Sequence, residues 1–192
     1  MATPIITASA SCAPLPRDMA ETPPLDPATA VALLRASLEA IRTEVSALPE
    51  PLLVWHPAPG EWSVKEVIGH LIEADRRGFA GRIRVILAST DPVLERWDQN
   101  AVARARGDDA RDLGALLREL TALREEGLAE ARRLDPDDLA RGGHHATVGY
   151  LRVGDLVHEW VHHDGNHLKQ ILANLQAYAW PHMGNSQKFS GE

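Results

Sequence analysis

The residues of this chain with the clearest potential for chemistry are histidines, of which there are nine among 192 residues. Four of them cluster towards the C-terminus: His158, His162, His163 and His167. His163 and His167 are four residues apart, so a helix would present both imidazoles on one face, where they could bind the same divalent ion. His158 and His162 have the same spacing but lie about 100° around the helix from its apolar stripe, which favours solvent exposure.

Two imidazoles are too few for a catalytic metal site, because such sites typically use three protein ligands and leave a further position open. A third ligand would therefore come from another helix. His70 is the only histidine within another predicted helix, although it lies roughly 100° from the centre of that helix's apolar stripe. Helical periodicity alone does not select His70.

Four amphipathic helices are predicted to position these residues. Their apolar residues recur at intervals of three and four, Asp26 caps the first helix, and Ser63 with Glu66 forms a capping-box signature before the second. The helices are predicted at residues 26–48, 63–88, 112–134 and 153–178, and a weak strand pattern covers residues 148–153. Such helices bury their stripes against one another, so the predicted fold is all-α, a four-helix bundle. A long connection between helices two and three, with room for a short helix, leaves their order in the bundle open.

Three segments of the chain resemble the DinB-like family of four-helix-bundle metalloproteins. They are residues 55–71, which contain WSVKEVIGHL, residues 92–100, PVLERWDQN, and residues 160–171, which contain HDGNHLKQI. The resemblance covers roughly residues 28–178. It implies that His70, His163 and His167 hold one divalent metal ion, for which zinc, nickel and iron all suit imidazole ligands.

The characterised members of this family include thiol-dependent transferases, so the resemblance implies an S-transferase that uses a low-molecular-weight thiol and an electrophilic substrate. An ion held by three imidazoles keeps open positions and can lower the pKa of a bound thiol or water. Two alternatives stay open, a metal-dependent hydrolase and a non-catalytic metal-binding stress-response bundle. A fourth protein ligand would favour the non-catalytic bundle. Similar proteins are commonly dimeric, which implies a homodimer.

Three acidic residues near the predicted ligands are candidates for supporting or catalytic roles. Glu159 lies one turn before His163 and Asp164 lies next to it, so either could orient a ring nitrogen. Glu73, three residues after His70, could do the same or act as a general base.

Aromatic and basic residues near the ligands have simpler interpretations. Trp62 and Trp160 fit core packing, with a pocket wall as the alternative. Helix two also carries four arginines: Arg76, Arg77, Arg82 and Arg84. They fit a solvated face, with binding of an acidic cosubstrate as the alternative.

The overall composition excludes several classes of partner. A formal charge of −7 repels phosphate backbones and argues against nucleic acid, and no run of about 18 apolar residues predicts a membrane span. Cys12 is the only cysteine, which excludes an internal disulfide and fits a reducing cytoplasm. The predicted organisation is a disordered leader at residues 1–25, one bundle domain at residues 26–180 and a tail at residues 181–192.

Overall fold

Helices make up most of the computed structural model, which describes residues 22–190. Most of the predicted leader, residues 1–21, lies outside the described residues. The α-helices of the described range are α1 (Pro27–Ser46), α2 (Glu50–Leu53), α3 (Val64–Glu73), α4 (Ala80–Ala88), α5 (Gln99–Arg106), α6 (Leu113–Ala131), α7 (Pro136–Ala140) and α8 (Val153–Ala179). Predicted helices one, three and four correspond to α1, α6 and α8, and predicted helix two corresponds to α3 and α4 together.

The helix starts follow from side chains that satisfy the free backbone N–H groups of the first turn. Asp26 caps α1 by accepting a hydrogen bond from the Thr29 N–H at 2.8 Å. Ser63 and Glu66 form the predicted capping box at the start of α3. Asp112 caps α6 in a similar way. The predicted starts of the first three long helices are therefore confirmed.

The periodicity predicts one continuous helix two, but the structure interrupts it. A π-helical turn at Ala74–Gly78 follows α3, and in it the Phe79 N–H donates to the carbonyl of Ala74. Phe79 itself leaves helical geometry, with φ −106° and ψ −81°, before α4 begins. Gly81 permits the tight backbone path, since a Cβ there would collide with the carbonyl of Arg76. The extra residue in the π turn rotates α4 about its axis relative to α3, so the α4 side chains point in a different direction from those of an uninterrupted helix.

The first two long helices, α1 and α3, lie at diagonal corners of the bundle. α1 packs against α6 and α8, and α3 packs against the same two helices. The segment between α1 and α3, which contains α2, therefore crosses the bundle diagonally. The predicted all-α four-helix bundle is confirmed, with an order in which consecutive helices are not always neighbours.

A small three-stranded sheet accompanies the helices. β1 (Val93–Leu94) pairs in parallel with β2 (Gly142–His145), which pairs antiparallel with β3 (Gly149–Arg152). β3 coincides with the weak strand pattern, whereas the sequence does not predict β1 and β2, because they are short and β2 begins with two glycines. The sheet joins the connection after α4 to the segment before α8.

α3 is buried on nearly every side, including most of its polar residues. The connection after α4 covers its outer face, with α5 and a 3-10 turn at Asp108–Ala110 packed against it. Gly69 permits this contact, since a Cβ there would collide with the Asp108 carboxylate. His70 is therefore only 5% exposed, although it lies off the apolar stripe of α3.

Two clusters of buried apolar side chains fill the interior. One includes Phe79 and Trp160, and the other includes Ile72 on α3 and Ile171 on α8. Within residues 22–190, no helix combines the length and the apolar character that a membrane span requires.

Candidate metal centre

Three imidazoles converge between α3 and α8, and they are the three predicted ligands. The Nε2 atom of His163 lies 2.9 Å from Nε2 of His70 and 3.2 Å from Nε2 of His167. One nitrogen from each ring lies within 4.8 Å of the other two. Ligands about 2.1 Å from one divalent ion, at angles between octahedral and tetrahedral, have nitrogens about 3.0 to 3.4 Å apart. The donor set therefore fits a divalent ion.

Burial keeps these imidazoles neutral at pH 7, which is the form that binds a metal. Removal from water lowers the pKa of His70 to about 3, and the charge of His167 acts in the same direction. Burial, followed by the neighbouring imidazoles, lowers the pKa of His163 to about 2. Burial also lowers the pKa of His167. Protons therefore do not compete strongly for these nitrogens near neutral pH.

We expect the metal-free protein to lose stability as the pH falls below about 6.5, the pKa of a histidine in water. Unfolding returns the buried imidazoles to water, so the unfolded state binds protons that the folded state does not. Each such histidine lowers the free energy of unfolding by about 1.4 kcal/mol per pH unit, until the pH reaches its folded pKa. Urea unfolding at about pH 7 and about pH 5 measures this loss.

Two variants isolate the contribution of the buried rings to this pH dependence. His163→Gln removes one of them and should show a shallower dependence than the wild type. His162→Gln removes the exposed imidazole at the preceding position and should leave the dependence unchanged. Equal dependence in the wild type and His163→Gln would show that burial does not suppress protonation of His163.

Aromatic side chains enclose the histidine cluster. Trp62 lies against His70 with ring centroids 4.8 Å apart, and it stacks on His167 at 6.3 Å. Trp97 stacks on His70 at 5.8 Å. Trp62 also packs against the apolar cluster that contains Ile72 and Ile171, in line with the core packing predicted for it. Trp97 is a site residue that sequence reasoning missed, although it lies within residues 92–100, one of the segments with the family resemblance.

Gln170 is a second site residue that sequence reasoning missed. The Nδ1–H of His167 donates to Gln170 Oε1 at 2.9 Å. This bond holds the ring in the tautomer whose Nε2 is free to bind a metal. Its three-residue separation from His167 on a helix is the signal that could have identified it. The buried Nδ1 atoms of His70 and His163 have no hydrogen-bond partner among the described residues.

Asp164 lies next to His163 in the sequence, but its carboxylate does not bond to an imidazole. Its two oxygens accept hydrogen bonds from Arg124 at 2.5 and 3.0 Å. Arg124 also donates to Asp75 at 2.8 and 3.1 Å, and Trp160 Nε1 donates to Asp75 at 2.8 Å. All four side chains are fully buried. Asp164 thus belongs to a buried charged network that joins α6 to α8 and to the π-helical turn, and Trp160 packs in the core.

Glu73 is buried against arginines and is not bonded to a ligand ring. Its carboxylate contacts Arg76, and it lies 2.7 Å from Arg77 and 2.8 Å from Arg106. Three guanidinium groups therefore surround this carboxylate. Among the described residues, no hydrogen bond links Glu73 to His70.

A cavity of about 560 Å³ opens beside the histidine cluster, with His70 and His163 in its lining. This volume is within the range of small-molecule sites. Of the three predicted acidic residues, only Glu159 lines this cavity. Glu159 is exposed, and it makes no ion pair or side-chain hydrogen bond within residues 22–190. In the same part of the chain, no fourth His, Cys, Asp or Glu joins the three-histidine group.

A second group of possible metal ligands consists of His56, Glu66 and Asp109. The Nδ1 atom of His56 lies 2.7 Å from the carbonyl oxygen of Glu61, and Nε2 lies 3.0 Å from Asp109. Glu66 is occupied by the capping box of α3. Hydrogen bonding within the protein therefore accounts for this group.

A model of the DinB superfamily matches residues 33–171, a range that includes all three converging histidines. The chain belongs to the DinB superfamily. This DinB protein is 24% identical over 121 residues to the Oceanobacillus iheyensis protein named "Putative metal-dependent hydrolase OB0782". That match covers 63% of this chain and 69% of the relative.

Solved structures similar to this DinB protein have the same fold. One is YfiT from Bacillus subtilis, described as "a probable metal-dependent hydrolase with an unusual four-helix bundle topology". It matches with a TM-score of 0.74 and 19% identity over 80% of this chain and 88% of YfiT. TT2238, described as "a four-helix bundle protein", matches with a TM-score of 0.57 and 21% identity over 77% of this chain and 98% of its own. The family and fold predicted from the sequence are confirmed.

Proposed function

We propose that this DinB-superfamily protein is a metal-dependent enzyme in which His70, His163 and His167 hold one divalent ion. The observation that carries the proposal is that three Nε2 atoms converge beside a cavity with no fourth protein ligand among residues 22–190. Catalytic sites have this composition, whereas structural zinc sites are usually closed by four protein ligands. The arrangement therefore favours a catalytic ion over one that only joins two helices.

Hydrolysis is the first candidate reaction, because two relatives carry names that describe them as metal-dependent hydrolases. A divalent ion at this site would lower the pKa of a bound water or thiol and polarise a carbonyl. Glu159 would accept the proton released by the nucleophile, since it lines the cavity one turn before His163 and forms no ion pair with another described residue. Trp62 and Trp97 would hold the ligand rings in place and limit access of water to them.

Thiol transfer is the second candidate reaction, and the sequence motifs support it through their family resemblance. The size of the cavity is also relevant, since about 560 Å³ leaves space for a small thiol beside an electrophile. Phe79, Trp97 and Leu156 give part of its wall apolar character, which suits an electrophile of low polarity.

Reconstitution with zinc, nickel or ferrous iron, followed by elemental analysis, tests the proposed metal site. We expect a single ion per chain. Panels of esters and amides without thiol are then compared with panels of electrophiles plus thiol. Chelator-sensitive turnover without thiol would indicate a hydrolase, and turnover that requires thiol would indicate a transferase. Failure to bind an ion stoichiometrically would refute the proposal. The identity of the metal, the homodimer and the cytoplasmic location stay predictions.

A further inference from the structure

Arg82 differs from the other arginines of predicted helix two. The other three form ion pairs with Glu73 or Glu130, and they are Arg76, Arg77 and Arg84. No carboxylate of the described residues lies within 4.0 Å of the Arg82 guanidinium. Its Nη2 donates to the carbonyl of Glu95 at 3.1 Å, and its buried Nε has no hydrogen-bond partner among these residues. Arg82 therefore keeps an unused donor and has no carboxylate at ion-pair distance among these residues, although the charge of Glu95 acts on it from farther away.

Arg82 lines the cavity that contains the histidine ligands. Arg96 and His145 line the same cavity. The hydrogen bond from Arg82 to the Glu95 carbonyl holds the guanidinium beside the residue that precedes Arg96. The parallel register of β1 and β2 sets His145 opposite Leu94, two residues before Arg96. The backbone thus brings the three side chains from α4, β2 and the segment after β1 to one part of the wall.

The electrostatics agree with this proximity. Burial lowers the pKa of His145, and the charges of Arg82 and Arg96 lower it further. The Nδ1 atom of His145 accepts a hydrogen bond from the Thr147 N–H at 3.3 Å, so the neutral ring carries its proton on Nε2. The group therefore offers two guanidinium groups and one imidazole N–H donor.

Two carboxylates also line the cavity, but neither lies within ion-pair distance of Arg82 or Arg96. Asp155 is paired with Arg152 at 2.9 Å. Glu159 lies one turn before His163, towards the histidine ligands. Glu95 acts on Arg82 from beyond 4.0 Å and does not line the cavity. Two guanidinium groups with no carboxylate of residues 22–190 within 4.0 Å therefore form a local positive region in the cavity wall of a chain whose formal charge is −7.

We infer that Arg82, Arg96 and His145 form a subsite for a carboxylate or phosphate group of the substrate, remote from its reacting end. This inference depends on the proposed metal-dependent function only in what it says of the reacting end of the substrate. Guanidinium groups recognise both anions through charge-assisted hydrogen bonds. His70 and Arg82 are twelve residues apart along helix two, at most about 18 Å along its axis. The substrate class is therefore an ester, amide or other electrophile that carries its anionic group on an extended chain.

Calorimetric titration of the zinc-loaded and metal-free protein tests this subsite. The probes are linear dicarboxylates, alkyl phosphates and neutral diols of matched length. We expect one anionic series to bind about tenfold more tightly than the diols, and Arg82→Gln and Arg96→Gln each to remove about tenfold of that affinity. Arg82→Lys, which keeps the charge, should lose less. The tighter series identifies the anion as carboxylate or phosphate.

Arg104→Gln is the matched control, because Arg104 is an exposed arginine on α5 outside the cavity lining, and it should bind the anions as the wild type does. Circular dichroism checks the folding of every variant, and Arg96→Gln provides the test if Arg82→Gln does not fold. Diols that bind as tightly as both anionic series, or variants with unchanged anion affinity, would overturn the subsite.

Elemental analysis of the bound metal distinguishes failure of the proposed function from failure of the subsite. Arginine-dependent anion binding without a bound metal would refute the proposed function alone, and metal binding without anion preference would refute the subsite alone.

Discussion

Replacement of His163 by alanine should lower the affinity for a divalent ion by more than about a hundredfold, because loss of even a residue that supports a ligand costs about 10- to 100-fold. His163 is the central member of the cluster, since its Nε2 lies 2.9 Å from that of His70 and 3.2 Å from that of His167. Titration of the metal-free variant with zinc against a competing chelator measures the change. Turnover in the assay that detects the wild type should be lost with the ion.

His162→Ala is the matched control for this prediction. His162 is the adjacent histidine, it is exposed, and its Nδ1 contacts the side chain of Asn166 instead of another imidazole. This variant should bind the ion with wild-type affinity. Unchanged affinity in His163→Ala, or an equal loss in both variants, would contradict the assignment of His163 as a ligand.

The parts of the fold that could be predicted from the sequence are those governed by local interactions. Asp26 and the capping box of Ser63 with Glu66 act within three residues, so their helix starts are readable in the chain itself. The sheet is different, because β1 and β2 are about fifty residues apart, so their pairing depends on the tertiary structure and not on local sequence. The π-helical turn within helix two is also invisible to a pattern search that assumes 3.6 residues per turn.

The ligand set divides in the same way. His163 and His167 form a local signal on one face of α8, whereas His70 depends on the family resemblance, because it lies off the apolar stripe of its helix. The structure supplies the physical reason for its burial. The connection after α4 packs over α3, where Gly69 accommodates Asp108 and where Trp97 stacks on His70. Helical periodicity contains no information about such a cover.

The acidic residues show why closeness in sequence to a ligand is a weak guide to function. Glu73 and Asp164 lie near predicted ligands, but Arg106 and Arg124 bind them from other helices. Such partners are distant in the sequence, and only the packing of the helices reveals them. Of the three predicted acidic residues, only Glu159 lines the cavity, and it has no such partner among residues 22–190.

Arg124→Met should lower the free energy of unfolding by about 3–5 kcal/mol, because removing one partner of a buried ion pair leaves an uncompensated charge in the interior. Arg124 is 0% exposed and binds both Asp75, at 1%, and Asp164, at 0%. The variant would therefore leave two carboxylates without their shared counter-ion. Urea unfolding of the metal-free protein at neutral pH measures the loss without a contribution from a bound ion.

Arg35→Met is the control for this prediction, since Arg35 pairs with Glu125 at 2.7 Å with both side chains about half exposed, and such pairs contribute about 0–1 kcal/mol. A loss in Arg124→Met no larger than in Arg35→Met would contradict the prediction. Combining Arg124→Met with Asp75→Asn and Asp164→Asn separates charge from shape. If the stranded carboxylates cause the loss, this triple variant should be more stable than Arg124→Met. If it is not, packing around Trp160 is what Arg124 maintains, because the guanidinium lies 5.3 Å from that ring.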